Sequence, residues 1–177
     1  VAGADTRHVV LEGLTQGVGY QVRVRAHNIE GNSYHLLSSP TTLSPKTTPS
    51  EPFNATIFAL SETQLMFIWH TPLENGGADI TKYRIQWDIS SSFDNMLTNG
   101  NTREIVVASG AGPRFCYIID IPASSKDVPR FARVYAYNGY RYSSAGLPLP
   151  LSAKGEIKAP GAPVDVAAYP TSAVGLM

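Results

Sequence analysis

The chain of 177 residues has a single cysteine, Cys116, and few charged residues, which make up 16% of the total. One thiol cannot form a disulfide within the chain, and it cannot supply a cysteine-based metal site. The 14 basic and 14 acidic residues cancel, which argues against binding to nucleic acid or to an anionic membrane surface. No apolar run approaches the roughly 18 residues of a membrane-spanning helix, so the sequence predicts no direct membrane insertion.

Catalytic and cofactor-binding patterns are also missing. The histidines have no cysteine or carboxylate partner at the spacing that metal ligands require; they are His8, His27, His35 and His70. Gly17-x-Gly19 and Gly110-x-Gly112 lack a third glycine and open no helix, so neither predicts a phosphate loop. Cys116 alternates with aromatic neighbours, as a small buried side chain would. We therefore expect a protein that is not an enzyme and that holds no metal or cofactor.

The chain does contain an internal repeat with a period near 110 residues. Residues 49–66 recur as 160–177 with five identities in 18 positions, and Arg23-Val24-x-Ala26-x-Asn28 recurs as Arg133-Val134-x-Ala136-x-Asn138. A period of this length indicates whole domains in tandem. We predict the C-terminal part of one domain at 1–48, a complete domain at 49–159 and the start of a third domain at 160–177, so that the chain is a piece of a longer array.

Alternation of apolar and polar residues, with turn residues every eight to twelve positions, is typical of an all-β sandwich. In the complete domain it predicts strands at 56–60, 64–70, 81–88, 103–108, 114–119, 130–138 and 147–153. Pro148 and Pro150 restrict the last of these to the edge of a sheet, because proline cannot donate to the strand ladder. The short junction at 158–163 carries two prolines, which predicts neighbouring domains held semi-rigidly.

Three motifs resemble those of fibronectin type III domains. Two lie in the complete domain: Leu65-x-Phe67-x-Trp69-x-x-Pro72, similar to the second strand, and Gly76-Gly77-x-x-Ile80-x-x-Tyr83-x-Ile85-x-Trp87, similar to the third. The partial domain contains Leu14-x-x-Gly17-x-x-Tyr20-x-Val22-x-Val24-x-Ala26-x-Asn28, similar to the tyrosine corner. The resemblance implies immunoglobulin-like antiparallel β-sandwiches in tandem, a class of module that binds, spaces or scaffolds. Arg130 stands where the complete domain should repeat Tyr20, so its corner hydrogen bond is expected to be lost or remade.

Strand alternation predicts an apolar outer surface on the complete domain. With Trp69 inward, the even-numbered residues of 64–70 point outward; with Cys116 inward, the odd-numbered residues of 114–119 do so. The predicted protein-contact surface comprises Met66, Ile68, Phe115, Tyr117 and Ile119. A contiguous apolar patch of this kind usually marks a contact site. The alternative is a one-residue register shift or bulge, which would turn Phe115 and Tyr117 inward.

The other sheet offers a second candidate face. Lys82 and Arg84 should point outward from one strand, and Arg133, Tyr135 and Tyr137 from its neighbour. Mixtures of tyrosine and arginine are frequent at protein interfaces. The alternative is a solvated face of cross-strand pairs, in which these side chains contact one another rather than a partner.

These patterns favour a structural or interaction module that contacts other protein chains or copies of itself, within a surface or filamentous assembly. A receptor or adhesion ectodomain with one protein ligand is the first alternative, and accessory domains attached to an enzyme are the second. The resemblance and the low charged fraction favour an extracellular or cell-surface location. Asn54-Ala55-Thr56 matches the acceptor pattern for N-glycosylation, which predicts a sugar on Asn54. An intracellular, cytoskeleton-associated location is the alternative, since the unpaired cysteine suits it equally.

Overall fold

The computed structural model of the chain describes residues 8–94, 101–108 and 111–156. Eleven strands occur in these ranges: β1 (Arg23–Val24), β2 (His27–Asn28), β3 (Gly31–Asn32), β4 (Leu36–Leu37), β5 (Phe53–Ser61), β6 (Gln64–His70), β7 (Lys82–Asp88), β8 (Thr102–Val106), β9 (Arg114–Asp120), β10 (Arg130–Tyr137) and β11 (Ser152–Ala153). Within the same ranges one 3-10 turn occurs, at Ala123–Ser125. The third domain start predicted at 160–177 and the junction at 158–163 fall outside the described residues.

The seven strands from β5 to β11 form two antiparallel sheets. One sheet has the order β5-β6-β9 and the other has the order β11-β10-β7-β8. The core between them is apolar: Leu65, Phe67 and Trp69 from β6 are fully buried with Tyr83 and Ile85 from β7. The predicted all-β antiparallel sandwich is therefore confirmed.

Local sequence explains the bounds of most strands. The alternation in β6 buries every second side chain over its whole length, and the predicted bounds of this strand match the observed ones. The last strand is much shorter than predicted, because only Ser152–Ala153 forms a ladder with β10. Pro148 and Pro150 lie in the part that does not pair, and the missing amide protons of these prolines explain the loss.

Residues 8–48 form two short hairpins, in which β1 pairs with β4 and β2 pairs with β3. Their apolar side chains lie largely in solvent: Val9, Leu11, Val24, Leu36 and Leu43 are all exposed. In the described part of the chain no second sheet covers these side chains, so the hairpins have the strand pairing of a sandwich without its core.

The pairing of these hairpins repeats in the sandwich 110 residues later. Tyr20 bridges to Leu43, and Arg130 pairs with Ala153. Two further pairs repeat at the same spacing: Val24↔Leu36 with Val134↔Gly146, and His27↔Asn32 with Tyr137↔Tyr142. At these pairs of the described residues, the sequence match with an offset of 110 is accompanied by the same strand register. This match supports the predicted domain division, which itself stays a prediction.

The corner at the start of β10 shows how the sandwich tolerates the loss of tyrosine. In the first repeat the amide of Thr15 donates to the Tyr20 hydroxyl at 2.9 Å. Arg130, at the equivalent position, is buried and donates to the Val128 carbonyl at 3.0 Å and to the Ser125 hydroxyl at 2.8 Å. The corner is therefore remade by the guanidinium group.

Candidate interaction faces of the sandwich

Strand β9 faces the opposite way from the sequence prediction. Ile119 is fully buried, and Phe115 and Tyr117 pack against the core. The ring of Phe115 lies 4.8 Å from that of Tyr83, and the ring of Tyr117 lies 5.7 Å from that of Trp87, centroid to centroid. The prediction that Phe115, Tyr117 and Ile119 form an outer contact surface is wrong.

The register of β9 with β6 is the physical reason. Tyr117 pairs with Phe67 and Ile119 pairs with Leu65, and residues directly opposite each other in an antiparallel ladder point to the same face. Phe67 and Leu65 are buried, so their partners are buried too. Large aromatic side chains also gain more from burial than a thiol does, and Cys116 is correspondingly exposed rather than buried as predicted.

An apolar surface nevertheless exists on the outside of this sheet. Its members alternate with the core residues of β5, β6 and β9, and we call them the outer face: Phe58, Leu60, Met66, Ile68, Cys116 and Ile118. They form cross-strand rows, with Phe58 opposite Met66 and Met66 opposite Ile118. Phe58, Leu60 and Ile118 are each 40% exposed. The predicted Met66 and Ile68 thus lie on the outer side, while the contributions of β5 and of Ile118 were missed.

Charged groups on the outer side of β9 are confined to its two ends. Arg114 begins the strand opposite His70, and Asp120 ends it opposite Gln64. The Gln64 amide donates to the Asp120 carboxylate at 2.9 Å. The apolar rows therefore lie between a basic end and an acidic end.

Glu104 on β8 is the centre of a cross-strand network on the other sheet. Its carboxylate accepts from Lys82 at 2.8 Å, from Arg84 at 2.9 Å and from the Tyr142 hydroxyl. These three donors hold the pKa of Glu104 at about 2, with Lys82 as the largest cause, and the same contact raises the pKa of Lys82. The Arg84 guanidinium also lies 3.9 Å from the centroid of the Tyr142 ring, and the Lys82 ammonium lies 4.9 Å from that of Tyr137.

The remaining residues of the second candidate face are paired in the same way. Arg133 donates to the Gln86 amide oxygen at 2.8 Å, and its guanidinium lies 4.0 Å from the ring centroid of Phe93 and 5.6 Å from that of Tyr135. All five predicted residues of this face project away from the core and are half-buried. The geometry fits the alternative of a solvated network of cross-strand pairs. A partner contact at this face stays a prediction.

Asn54 lies on the exposed side of β5, where an oligosaccharide has room. Its side chain and that of Thr56 are both exposed. The register with β6 shifts between Phe53 and Thr56, and Asn54 in this bulge has a φ of 48°, a conformation that asparagine adopts more readily than most residues. Glycosylation of Asn54 stays a prediction.

In the part of the chain that the structure describes, polar pockets and metal-ligand clusters offer no further site. A pocket of about 400 Å³ lies at one end of the sandwich beside Glu62, Lys126, Asp127 and Lys154, and the Lys126 ammonium pairs with the Glu62 carboxylate at 2.9 Å. Within the described ranges no three histidine, cysteine or acidic side chains are grouped as a metal site. No helix in those ranges has the length and hydropathy needed to cross a membrane.

No family model matches the chain. Among solved structures, a crystal structure of titin domains matches with 19% identity and a TM-score of 0.49, covering 82% of this chain and 42% of the other. Domains of the rat CD45 extracellular region match with 13% identity and a TM-score of 0.45, over 82% of this chain and 69% of the other. Domains of chicken CNTN1 match with 18% identity and a TM-score of 0.41, over 76% and 42%. The chain spans less than half the length of the titin and CNTN1 chains.

The strand order itself decides the fold. A three-stranded sheet of the first, second and fifth strands faces a four-stranded sheet of the third, fourth, sixth and seventh strands of the sandwich. The sandwich is an immunoglobulin-like fold, similar to that of fibronectin type III domains. The motifs that resemble those domains lie on β6 and β7, where Trp69 and Tyr83 meet with ring centroids 5.5 Å apart in the centre of the core.

Proposed function

We propose that this chain is a non-catalytic structural and interaction module, a semi-rigid segment of tandem β-sandwiches in a large multi-domain protein. Its outer face contributes to a surface or filamentous assembly through protein–protein contacts. The observation that carries this proposal is a pair of cross-strand rows on the outer side of the sheet, Phe58–Met66–Ile118 and Thr56–Ile68–Cys116. The Thr56 hydroxyl and the Cys116 thiol are the polar groups in these rows, and the other four side chains are apolar. A contiguous apolar surface flanked by polar groups is typical of a contact site.

The partner that this face fits best is a second copy of the chain. Arg114 and Asp120 lie three residues to either side of Tyr117, the midpoint of β9. A twofold axis that lies between the two outer faces, parallel to the sheets and at right angles to β9 at that midpoint, would place Arg114 of one copy over Asp120 of the other at both ends. Such an interface is self-complementary, as closed dimers require, and the apolar rows would meet in its centre.

A cell-surface or extracellular location accompanies this proposal. It is supported by the accessible sequon at Asn54, whose acceptor and hydroxyl residues are both exposed. The exposed thiol of Cys116 is compatible with the intracellular, cytoskeletal alternative. Mass spectrometry of the protein isolated from the cells that naturally produce it tests the location, because a sugar on Asn54 requires the secretory pathway and would exclude the intracellular alternative.

Light scattering over a concentration series tests the contact surface. The test variant carries Ile68→Ser with Ile118→Ser, and the matched control carries Val106→Ser, which removes an exposed apolar side chain from β8 on the other sheet. We expect the parent chain and the control to self-associate and the double variant to remain monomeric with its thermal transition preserved. Equal self-association of all three chains would contradict the proposal, because the association would then come from other apolar surfaces, such as the exposed hairpins of residues 8–48.

A further inference from the structure

The segment that precedes the sandwich is fixed to one of its loops. The amide of Thr47 donates to the Gly76 carbonyl at 2.9 Å, and the amide of Ser50 donates to the Glu74 carbonyl at 2.9 Å. The Ser50 hydroxyl accepts from the Glu74 amide at 3.1 Å. The chain between the hairpins and β5 is therefore held against the β6–β7 loop by hydrogen bonds from both sides.

Asn138, directly after β10, joins this segment to two loops at once. Its amide nitrogen donates to the carbonyls of Thr47 and Asn75, each at 2.9 Å. Its amide oxygen accepts from the backbone of Tyr140 and Arg141, each at 3.1 Å. The side chain is 98% buried, since its exposed fraction is 2%, and both donor hydrogens and the acceptor oxygen are used.

Two adjacent glycines bring the first repeat into backbone contact with the same loop. A Cβ atom on Gly76 would lie 2.3 Å from the Thr47 carbonyl oxygen, and one on Gly77 would lie 2.6 Å from the Gly17 nitrogen and 3.0 Å from the Pro45 oxygen. Gly17 itself donates to Pro45 at 3.0 Å. No side chain fits between these backbones, so Gly76 and Gly77 are required by the contact as well as by their positive φ angles of 69° and 80°.

The equivalent asparagine of the first repeat provides a natural comparison. Asn28 lies 110 residues before Asn138, and its oxygen accepts from the amides of Glu30 and Gly31 at 3.0 and 3.1 Å. Among the described residues its hydrogen bonds stay within this turn, whereas those of Asn138 cross to Thr47 and Asn75. The shared acceptor bonds shape the turn in both repeats, and the donor bonds of Asn138 are specific to the joint.

We propose that Asn138 and the Gly76-Gly77 pair form a built joint that fixes the orientation of the first repeat relative to the sandwich. This joint holds the backbone of residues 45–50, and Asn138 is its positioning residue. The inference rests on the proposed tandem organisation, and it is independent of any contact at the outer face. In an array with such a joint between neighbouring domains, each outer face would be rotated by the same angle relative to the outer face of the preceding domain.

Amide hydrogen exchange of the full chain, measured residue by residue by NMR, tests this joint. Asn138→Asp keeps the shape and the acceptor oxygen but loses both donor hydrogens, so exchange at Thr47 should accelerate about tenfold or more. Asn28→Asp is the matched control and should leave Thr47 unchanged. The amide of Val134, bonded to Gly146 at 3.0 Å inside the sandwich, reports whether the domain remains folded.

Gly77→Ala tests the joint by another route, and it decides the matter if Asn138→Asp unfolds the sandwich. The three nearest atoms that an added Cβ would meet belong to Gln16, Gly17 and Pro45, which lie in the first repeat and the segment after it. Gly139→Ala is the control, since Gly139 has an equally unfavourable φ of 79° and nothing within 4 Å of its added Cβ. We expect faster exchange at Gly17 and Thr47 in Gly77→Ala alone.

Two results would overturn the joint. One is a parent chain in which Gly17 and Thr47 exchange at the rate of unprotected amides. The other is unchanged exchange at both positions in Gly77→Ala. Neither result depends on self-association, so a failure of the joint is distinguishable from a failure of the outer-face contact, which light scattering reports.

Discussion

Ile118 on β9 lies directly opposite Met66 on β6, so that both side chains project from the outside of the three-stranded sheet. Because of this pairing, the neighbouring residues Ile118 and Ile119 point to opposite sides of the sheet. Ile119 is buried in the core, and Ile118 is 40% exposed. The register between β6 and β9 therefore determines which residues of β9 lie on the outer face and which lie in the core.

The two isoleucines should differ sharply in their effect on stability. Ile119→Ala removes a fully buried side chain and should lower the free energy of unfolding by about 2–5 kcal/mol. Ile118→Ala should lower it by about 1 kcal/mol or less, because the side chain is already partly in solvent. Urea unfolding followed by Trp fluorescence measures both. Equal losses would mean that the register of β9 is wrong.

Tyr83 should make the sandwich sensitive to high pH. Its hydroxyl is buried without a hydrogen-bond partner among the described protein groups, and burial raises its pKa well above the usual value of 10.0. The unfolded state loses this proton near pH 10 while the folded state retains it, so the free energy of unfolding should fall as the pH rises above about 10. Tyr83→Phe should flatten this decline, and Tyr140→Phe, at an exposed position, should not. Identical alkaline profiles for all three chains would contradict the assignment.

Glu104 should make a corresponding contribution at low pH. Its pKa is lowered from 4.5 to about 2 by Lys82, Tyr142 and Arg84. Stability from this network is fully present above pH 4.5 and should be lost as the pH falls from 4.5 towards 2. Glu104→Gln should remove that part of the acid dependence, with Glu51→Gln at an exposed position as the control. The effect should shrink in about 1 M salt, since the group is solvent-exposed. A Glu104→Gln profile that parallels the parent would exclude the network as a source of stability.

A sugar on Asn54 should interfere with the outer face. Thr56, the third residue of the sequon, stands in the same cross-strand row as Ile68 and Cys116. Chain secreted with the sugar attached should therefore remain monomeric, and the secreted Asn54→Gln variant should self-associate. Light scattering of the two secreted proteins makes the comparison. If the glycosylated chain associates as strongly as Asn54→Gln, the contact lies elsewhere.

The sequence predicted the direction of β6 correctly because the motif Leu65-x-Phe67-x-Trp69 resembles a strand whose tryptophan is buried, although residues 65–69 are all apolar. It did not predict the direction of β9, because residues 115–119 are all apolar or weakly polar. Such a run carries no alternation, and only its pairing with β6 decides which residues are buried. Phe58 and Leu60 could have been found, since they alternate with the inward side chains of β5, which are Ala55, Ile57 and Ala59.

Long-range pairing accounts for the other features that sequence reasoning missed. The outward direction of Lys82 and Arg84 follows from alternation, but their common partner Glu104 lies on a different strand at a register that the sequence does not state. The role of Asn138 is similar. Its repeat with Asn28 is visible in the sequence, whereas its bonds to Thr47 and Asn75 depend on how two loops and a linker meet.

The central claim is that the outer face mediates contact between chains, and the solution mass of the Ile68→Ser, Ile118→Ser variant tests it most directly. Light scattering should show the parent chain and the Val106→Ser control increasing in mass with concentration while the double variant stays at the monomer mass of 19.1 kDa. A parent chain that remains monomeric throughout, or a double variant that associates as the parent does, would contradict the claim. The first of these results would favour a receptor or adhesion module with one protein ligand.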